Sequence, residues 1–104
     1  MAPAGNLKQA EIKMEKTLYD ENARILKALA HPTRLHLVDL IRRKKPCVRV
    51  MEEVLGIAQP NISQHLSLLR NIGIVEAERT GNHICYQIKN QTVIKLLDAL
   101  NDSV

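Results

Sequence analysis

Between Gln59 and Ser67 the chain carries a set of short hydrogen-bonding side chains: Gln59, Asn61, Ser63, Gln64, His65 and Ser67. Gln and Asn can bond bidentately to adenine in the major groove of DNA, and Ser can bond a base edge or a phosphate. Ile62, Leu66 and Leu69 recur at i, i+4 and i+7 through the same segment, which gives a helix an apolar stripe opposite the polar one. Reading a groove requires those two unlike faces, one to anchor the helix and one to reach base edges. A helix face that only meets water usually carries Lys and Glu instead. Arg70 follows, placed for a backbone phosphate. No acidic residue occurs between Glu53 and Glu76, so a phosphate backbone could approach without repulsion.

Two cysteines, Cys47 and Cys85, are the other reactive groups. They do not make a disulfide scaffold, and there is no C-x-x-C. Two scattered cysteines and four scattered histidines give no familiar spacing for a structural zinc site, so no metal is expected. His31 stands before Pro32 and reads as a turn or cap residue, and His36 as a surface residue of the following helix; neither has a second His or Cys at i+3 or i+4. His83 and Cys85 would share one face of a strand. That spacing suggests a nucleophile and a base, but so short a chain has no pocket-forming loops. Catalytic residues are therefore not assigned, and no cofactor is expected.

The elements that must position these groups follow from periodicity. Residues 1–6, with Pro3 and Gly5, read as a loose tail, and residues 7–104 as one domain. Leu7, Ala10, Met14 and Leu18 fall on one helical face, and Asp20 or Glu21 could start a second helix that ends at His31-Pro32. Thr33 starts the next helix, which closes on the basic run Arg42 to Lys45 before Pro46. Cys47 to Val50 is extended or a helix entry, and Met51 to Leu55 is a short helix ended by Gly56. Pro60 suits the first turn of the helix that runs to Asn71. Ile74 to Glu78 and Ile84 to Ile88 alternate around Thr80-Gly81-Asn82, as a β-hairpin does, with Arg79 and His83 flanking its tip. Thr92 to Leu100 forms a last helix with Val93, Leu96, Leu97 and Leu100 on one face. The fold class is mainly α with a small hairpin, in the order α-α-α-α-β-β-α, a winged helix-turn-helix.

Composition agrees. Lys plus Arg number 15 against 11 Asp plus Glu, a net charge of +4, which suits a polyanionic partner. Tyr19 and Tyr86 are the only aromatic residues of the Phe, Trp and Tyr class. Single-strand binders stack bases on aromatic rings, so duplex DNA is the expected partner. No apolar run spans a membrane, and the first residues lack a signal-peptide layout, so the expected location is cytoplasmic.

Three stretches carry a resemblance: Leu26-Lys-Ala-Leu-Ala-His-Pro-Thr-Arg-Leu, Gln59-Pro-Asn-Ile-Ser-Gln-His-Leu-Ser-Leu-Leu-Arg and Gly73-Ile74-Val75-Glu76. Together with the Tyr86 strand they resemble the ArsR/SmtB family of bacterial metal- and redox-responsive repressors over residues 23 to 90. The resemblance implies a homodimeric repressor, released by an inducer, that binds an imperfect inverted repeat. It also implies a dimer interface from the first and last helices, where Leu7, Met14, Leu18, Val93, Leu96, Leu97 and Leu100 lie. Ala58 departs from the Ser or Thr often found before the reading helix and loses a cap. The family's arsenic-type site uses Cys-x-Cys at the first helix of the motif, but this chain reads Cys47-Val48-Arg49. Its zinc-type site needs histidine on the last helix, and residues 91–104 have none. Cys47 and Cys85 remain as sensing candidates, through reversible oxidation or sulfur bridging. The alternatives are a soft metal or metalloid on the same thiols, two small buried apolar side chains, and a winged helix that binds protein rather than DNA.

Overall fold

The computed structural model describes the backbone of residues 5–102 and the side chains of residues 15–102. Helix α1 runs unbroken over Gly5–Leu29. It therefore begins inside the stretch expected as a tail, whose residues 1–4 lie outside the described ones. It also passes straight through Asp20 and Glu21, where a second start was expected. Nothing between Leu18 and Arg24 is Pro or Gly, and both acids are exposed positions of the continuous helix.

Helix α2 covers Pro32–Lys44. His31 caps it: Nδ1 accepts from the backbone N–H of Thr33 at 3.2 Å and of Arg34 at 3.4 Å. This satisfies two of the amides that a helix start leaves orphaned. Leu37, Val38 and Ile41 are fully buried on its inner side. Lys45 ends it in the left-handed region, with φ 47° and its N–H on the Ile41 carbonyl. Arg42 pairs with Asp98 of the last helix, and Arg43 with Asp39 at 3.0 Å.

Cys47 alone of its segment is extended, and α3 follows at once over Val48–Leu55. Gly56, at φ 68°, closes α3 and allows the sharp turn to α4, Gln59–Ile72. Ala58 precedes α4 with no side-chain cap, as its methyl dictates. At the far end Gly73 lies at φ 87°; its N–H meets the Arg70 carbonyl, and the Ile74 N–H meets that of Leu69. Both Ile74 and Leu69 are fully buried. This is a Schellman ending with its apolar contact, and it fixes the direction in which the chain leaves for the hairpin.

Strands β1, Val75–Thr80, and β2, His83–Ile88, pair antiparallel, with Val75 opposite Ile88 and Thr80 opposite His83. A third short partner joins them, because Cys47 forms an antiparallel bridge with Cys85. Helix α5, Gln91–Asp102, starts at Asn90, whose Oδ1 accepts from the Thr92 N–H at 2.8 Å. One core unites these elements, and it includes Ile62, Leu66 and Leu69 of α4, Tyr86 of β2 and Val93 and Leu97 of α5. The order of four helices, a hairpin and a helix is the winged helix-turn-helix expected from the sequence.

Candidate nucleic-acid interface

Helix α4 is held by a narrow stripe. Ile62 and Leu69 are fully buried and Leu66 nearly so. With 3.6 residues per turn, Ser63, Gln64, Ser67 and Asn71 then point away from the domain, and all four are exposed. Gln59 and Asn61 of the first turn are exposed too, as is Arg70. Leu68 stands 36% exposed beside this polar face. Its apolar identity hides it in the sequence, where it reads as one more core leucine. An apolar side chain there can contact the methyl group of thymine.

His65 departs from the expected set. It is half-buried, and its ring lies 5.0 Å from that of His31, tilted by 59°. Its position next to Leu69 on the wheel, at the edge of the buried stripe, turns it toward the junction of α1 and α2, so it braces the helix instead of pointing outward with Gln64. Burial first, then the charges of His31 and Arg34, hold the His65 imidazole below its ordinary value of 6.5. The fold therefore favours the neutral ring. That contribution is complete above pH 6.5 and is lost as pH falls through this value toward the lower folded one. Melting temperature should fall on acidification from pH 8 to pH 5.5, and His65→Asn should flatten that fall. An unchanged pH profile in the variant would show that the ring contact carries no linkage.

At the wing Arg79 and His83 are both exposed, but they do not act together. The register puts Arg79 opposite Ile84, on the strand face of Tyr86, while His83 shares the face of Cys85. The two project from opposite sides of the hairpin. Among the described residues the ion pairs use Arg42, Arg43 and Arg49, and leave Arg70 and Arg79 available to a phosphate.

Behind the wing, Cys47 and Cys85 are free, half-buried thiols directly opposite one another. The Tyr86 N–H donates to the Pro46 carbonyl at 3.1 Å, bracketing the two cysteines as a non-hydrogen-bonded pair. Cα atoms at such a pair lie about 4.5 Å apart. A disulfide normally spans about 4.4–6.8 Å. The described residues contain no cluster of three or more His, Cys, Asp or Glu arranged for a metal. Arg49, where the arsenic-type site would need a second thiol, is exposed and 3.7 Å from Glu53.

Of the expected interface residues, Leu18 and Leu100 are 54% and 53% exposed, and Leu26 of α1 joins them at 54%. Leu96 is half-buried beside them, on an apolar groove between α1, α2 and α5 that also takes in Leu26, Leu35 and Leu100. Val93 and Leu97 differ from expectation. They are buried in the protomer's own core, because the inner face of α5 packs on α2 and β2. The side chains of Leu7 and Met14 lie outside the described residues. No helix among the described residues is long and apolar enough to cross a membrane.

Residues 31–77, from the cap of α2 to β1, match the family model described as "Bacterial regulatory protein, arsR family". The "Biofilm growth-associated repressor" of Xylella fastidiosa is 40% identical over 87 residues, which is 84% of this chain and 75% of that protein. This chain belongs to the ArsR family. Another relative is the "Probable mercury resistance operon repressor" of Streptomyces lividans, 40% identical over 96 residues, 92% of this chain and 75% of that protein. Among solved structures, a homodimeric winged helix-turn-helix DNA-binding domain from Mycobacterium bovis superposes with a TM-score of 0.75 at 30% identity, covering 99% of this chain and 89% of that one. As an ArsR-family protein the chain is a DNA-binding transcriptional regulator, and α3, α4 and the hairpin are its helix-turn-helix and wing.

Proposed function

We propose that this ArsR-family chain is a homodimeric repressor that reads an imperfect inverted repeat in duplex DNA and is released when Cys47 and Cys85 are oxidised. The observation that carries the first half is the outward face of α4. Ser63, Gln64, Ser67 and Asn71 stand exposed on a helix whose other side is fixed by buried Ile62, Leu66 and Leu69. Gln59 and Asn61 extend the reading set at the N-terminal turn, and Leu68 adds an apolar contact. Arg70 with Arg79 or His83 meets phosphate. Two such helices in successive major grooves lie about 34 Å apart on one DNA face, which calls for a two-fold protein and a two-fold site. Exposed Leu18, Leu26 and Leu100, with the groove between α1 and α5, supply the apolar surface for pairing. The homodimeric relative supports the same arrangement.

The facing thiols carry the second half. A bond between them would tie the entrance of α3 to the wing strand, two parts that flank the reading helix. Operator binding measured on reduced and oxidised protein tests this. Oxidation should weaken binding in the wild type and leave Cys47→Ser and Cys85→Ser unaffected. An equal response in all three proteins would remove the thiols from the account. A soft cation held by the same two thiols is the second reading, favoured by the similarity to the Streptomyces protein. It predicts release by such a cation under reducing conditions.

A further inference from the structure

Resting on the thiol reading above, we infer that the two cysteines are unequal: Cys85 is the thiol that meets the oxidant, a small uncharged hydroperoxide, and Cys47 is the one that completes the disulfide. The asymmetry comes from access. A cleft of about 180 Å³ opens onto Cys85, with Lys45, Glu78, Thr80, Tyr86 and Gln87 as its walls. Cys47 is not part of that wall. It lies at the entrance to α3, held opposite Cys85 by the Tyr86–Pro46 hydrogen bond.

The walls also select the reagent. Lys45 and Glu78 bring one charge of each sign, and Glu78 is directly across the hairpin from Cys85. The site thus has no net charge to recruit an anionic disulfide or a charged sulfur donor, and its volume suits a molecule of few heavy atoms. The resolving thiol is unencumbered. Cys47 occupies the capping position of α3, yet its side chain makes no hydrogen bond to the helix amides. Its sulfur can move to its partner without uncapping a helix.

The steps balance. The Cys85 thiolate attacks one oxygen of the hydroperoxide; a sulfur–oxygen bond forms, the oxygen–oxygen bond breaks, and the leaving alkoxide or hydroxide takes a proton. Cys85 is now a sulfenic acid. The Cys47 sulfur attacks Cys85 Sγ; the sulfur–sulfur bond forms, and hydroxide departs as water with the proton from Cys47. Two thiols and one hydroperoxide give one disulfide, one alcohol or water, and one further water. The disulfide is intrachain, because the bridge pairs two residues of the same protomer.

The test adds equimolar hydrogen peroxide to the reduced full chain. Wild type should lose both thiols, fall in mass by two hydrogens and run as a monomer on a non-reducing gel. Cys47→Ser should stop at a sulfenic acid on Cys85, trapped by dimedone and located by peptide mapping. Cys85→Ser should react about tenfold or more slowly, as an access-limited thiol does. Matched Cys→Ala variants, with thermal melts, separate chemistry from misfolding. A sulfenic acid trapped on Cys47, equal rates for the two variants, or an interchain disulfide would overturn the assignment. If the order of reaction is as stated but operator binding does not change, the proposed release fails while this assignment stands. If oxidation releases DNA through the opposite order, the release stands and this assignment falls.

Discussion

Operator binding should weaken about 10²–10³-fold when salt is raised from 50 to 200 mM. Each phosphate neutralised on duplex DNA releases counterions, so log K falls against log salt with a slope of about −0.9 per contact. The hairpin register sets the number of contacts. Arg79 and His83 project from opposite faces of the wing, so the proposed complex counts one of them on the backbone. With Arg70 this gives two contacts per protomer and four per dimer, a slope of about −4. If the wing inserts deeply enough to use both faces, six contacts raise the slope to about −5. Arg79→Ala should reduce the slope on specific and random duplexes alike, since a phosphate contact carries no sequence information. A flat salt response would point instead to an apolar protein partner.

Leu69→Ala should cost about 2–5 kcal/mol of folding stability, the range for a fully buried leucine whose cavity cannot collapse completely. Leu69 is fully buried. It is also where α4 ends: its carbonyl accepts the Ile74 N–H at 2.9 Å, and buried Ile74 is the apolar partner in that cap. Truncation therefore removes core volume and loosens the hinge between reading helix and wing. Small domains have about 5–15 kcal/mol in total, so the loss is a large share. A fall in melting temperature of about 10–30 °C is expected by calorimetry. Leu68→Ala, one residue along but 36% exposed, should leave the melting temperature almost unchanged and weaken DNA binding instead. Similar melting curves for the two variants would contradict the orientation given to α4.

Much of this arrangement was legible in residue order, because two periods dominate. The 3.6-residue spacing of Ile62, Leu66 and Leu69 and the two-residue alternation of Ile84, Tyr86 and Ile88 each state which face is inner. Pro32, Pro46, Gly56 and Gly73 mark ends that depend on local backbone chemistry. What escaped was long-range. Asp20 and Glu21 resemble a helix start, but a helix runs on where nothing breaks it and its neighbours support it. His65 reads as polar and hence outward, yet its partner, His31, is 34 positions away in the chain and next to it in space. Val93 and Leu97 look available for dimerisation until α2 and β2 cover them. Arg79 and His83 look like one tip until the register sends them to opposite faces. The Cys47–Cys85 pairing is long-range as well, since it joins the residue before α3 to the last strand.

The placement of Gln64 on the outermost line of α4 is the central claim, and competition binding tests it most directly. Gln64→Ala should lose about 1–3 kcal/mol on the operator and relax its preference at one position in each half-site, with binding to random duplex unchanged. Equal loss on operator and random duplex would show that Gln64 touches only the backbone, and would contradict the assignment of α4 as the helix that reads bases.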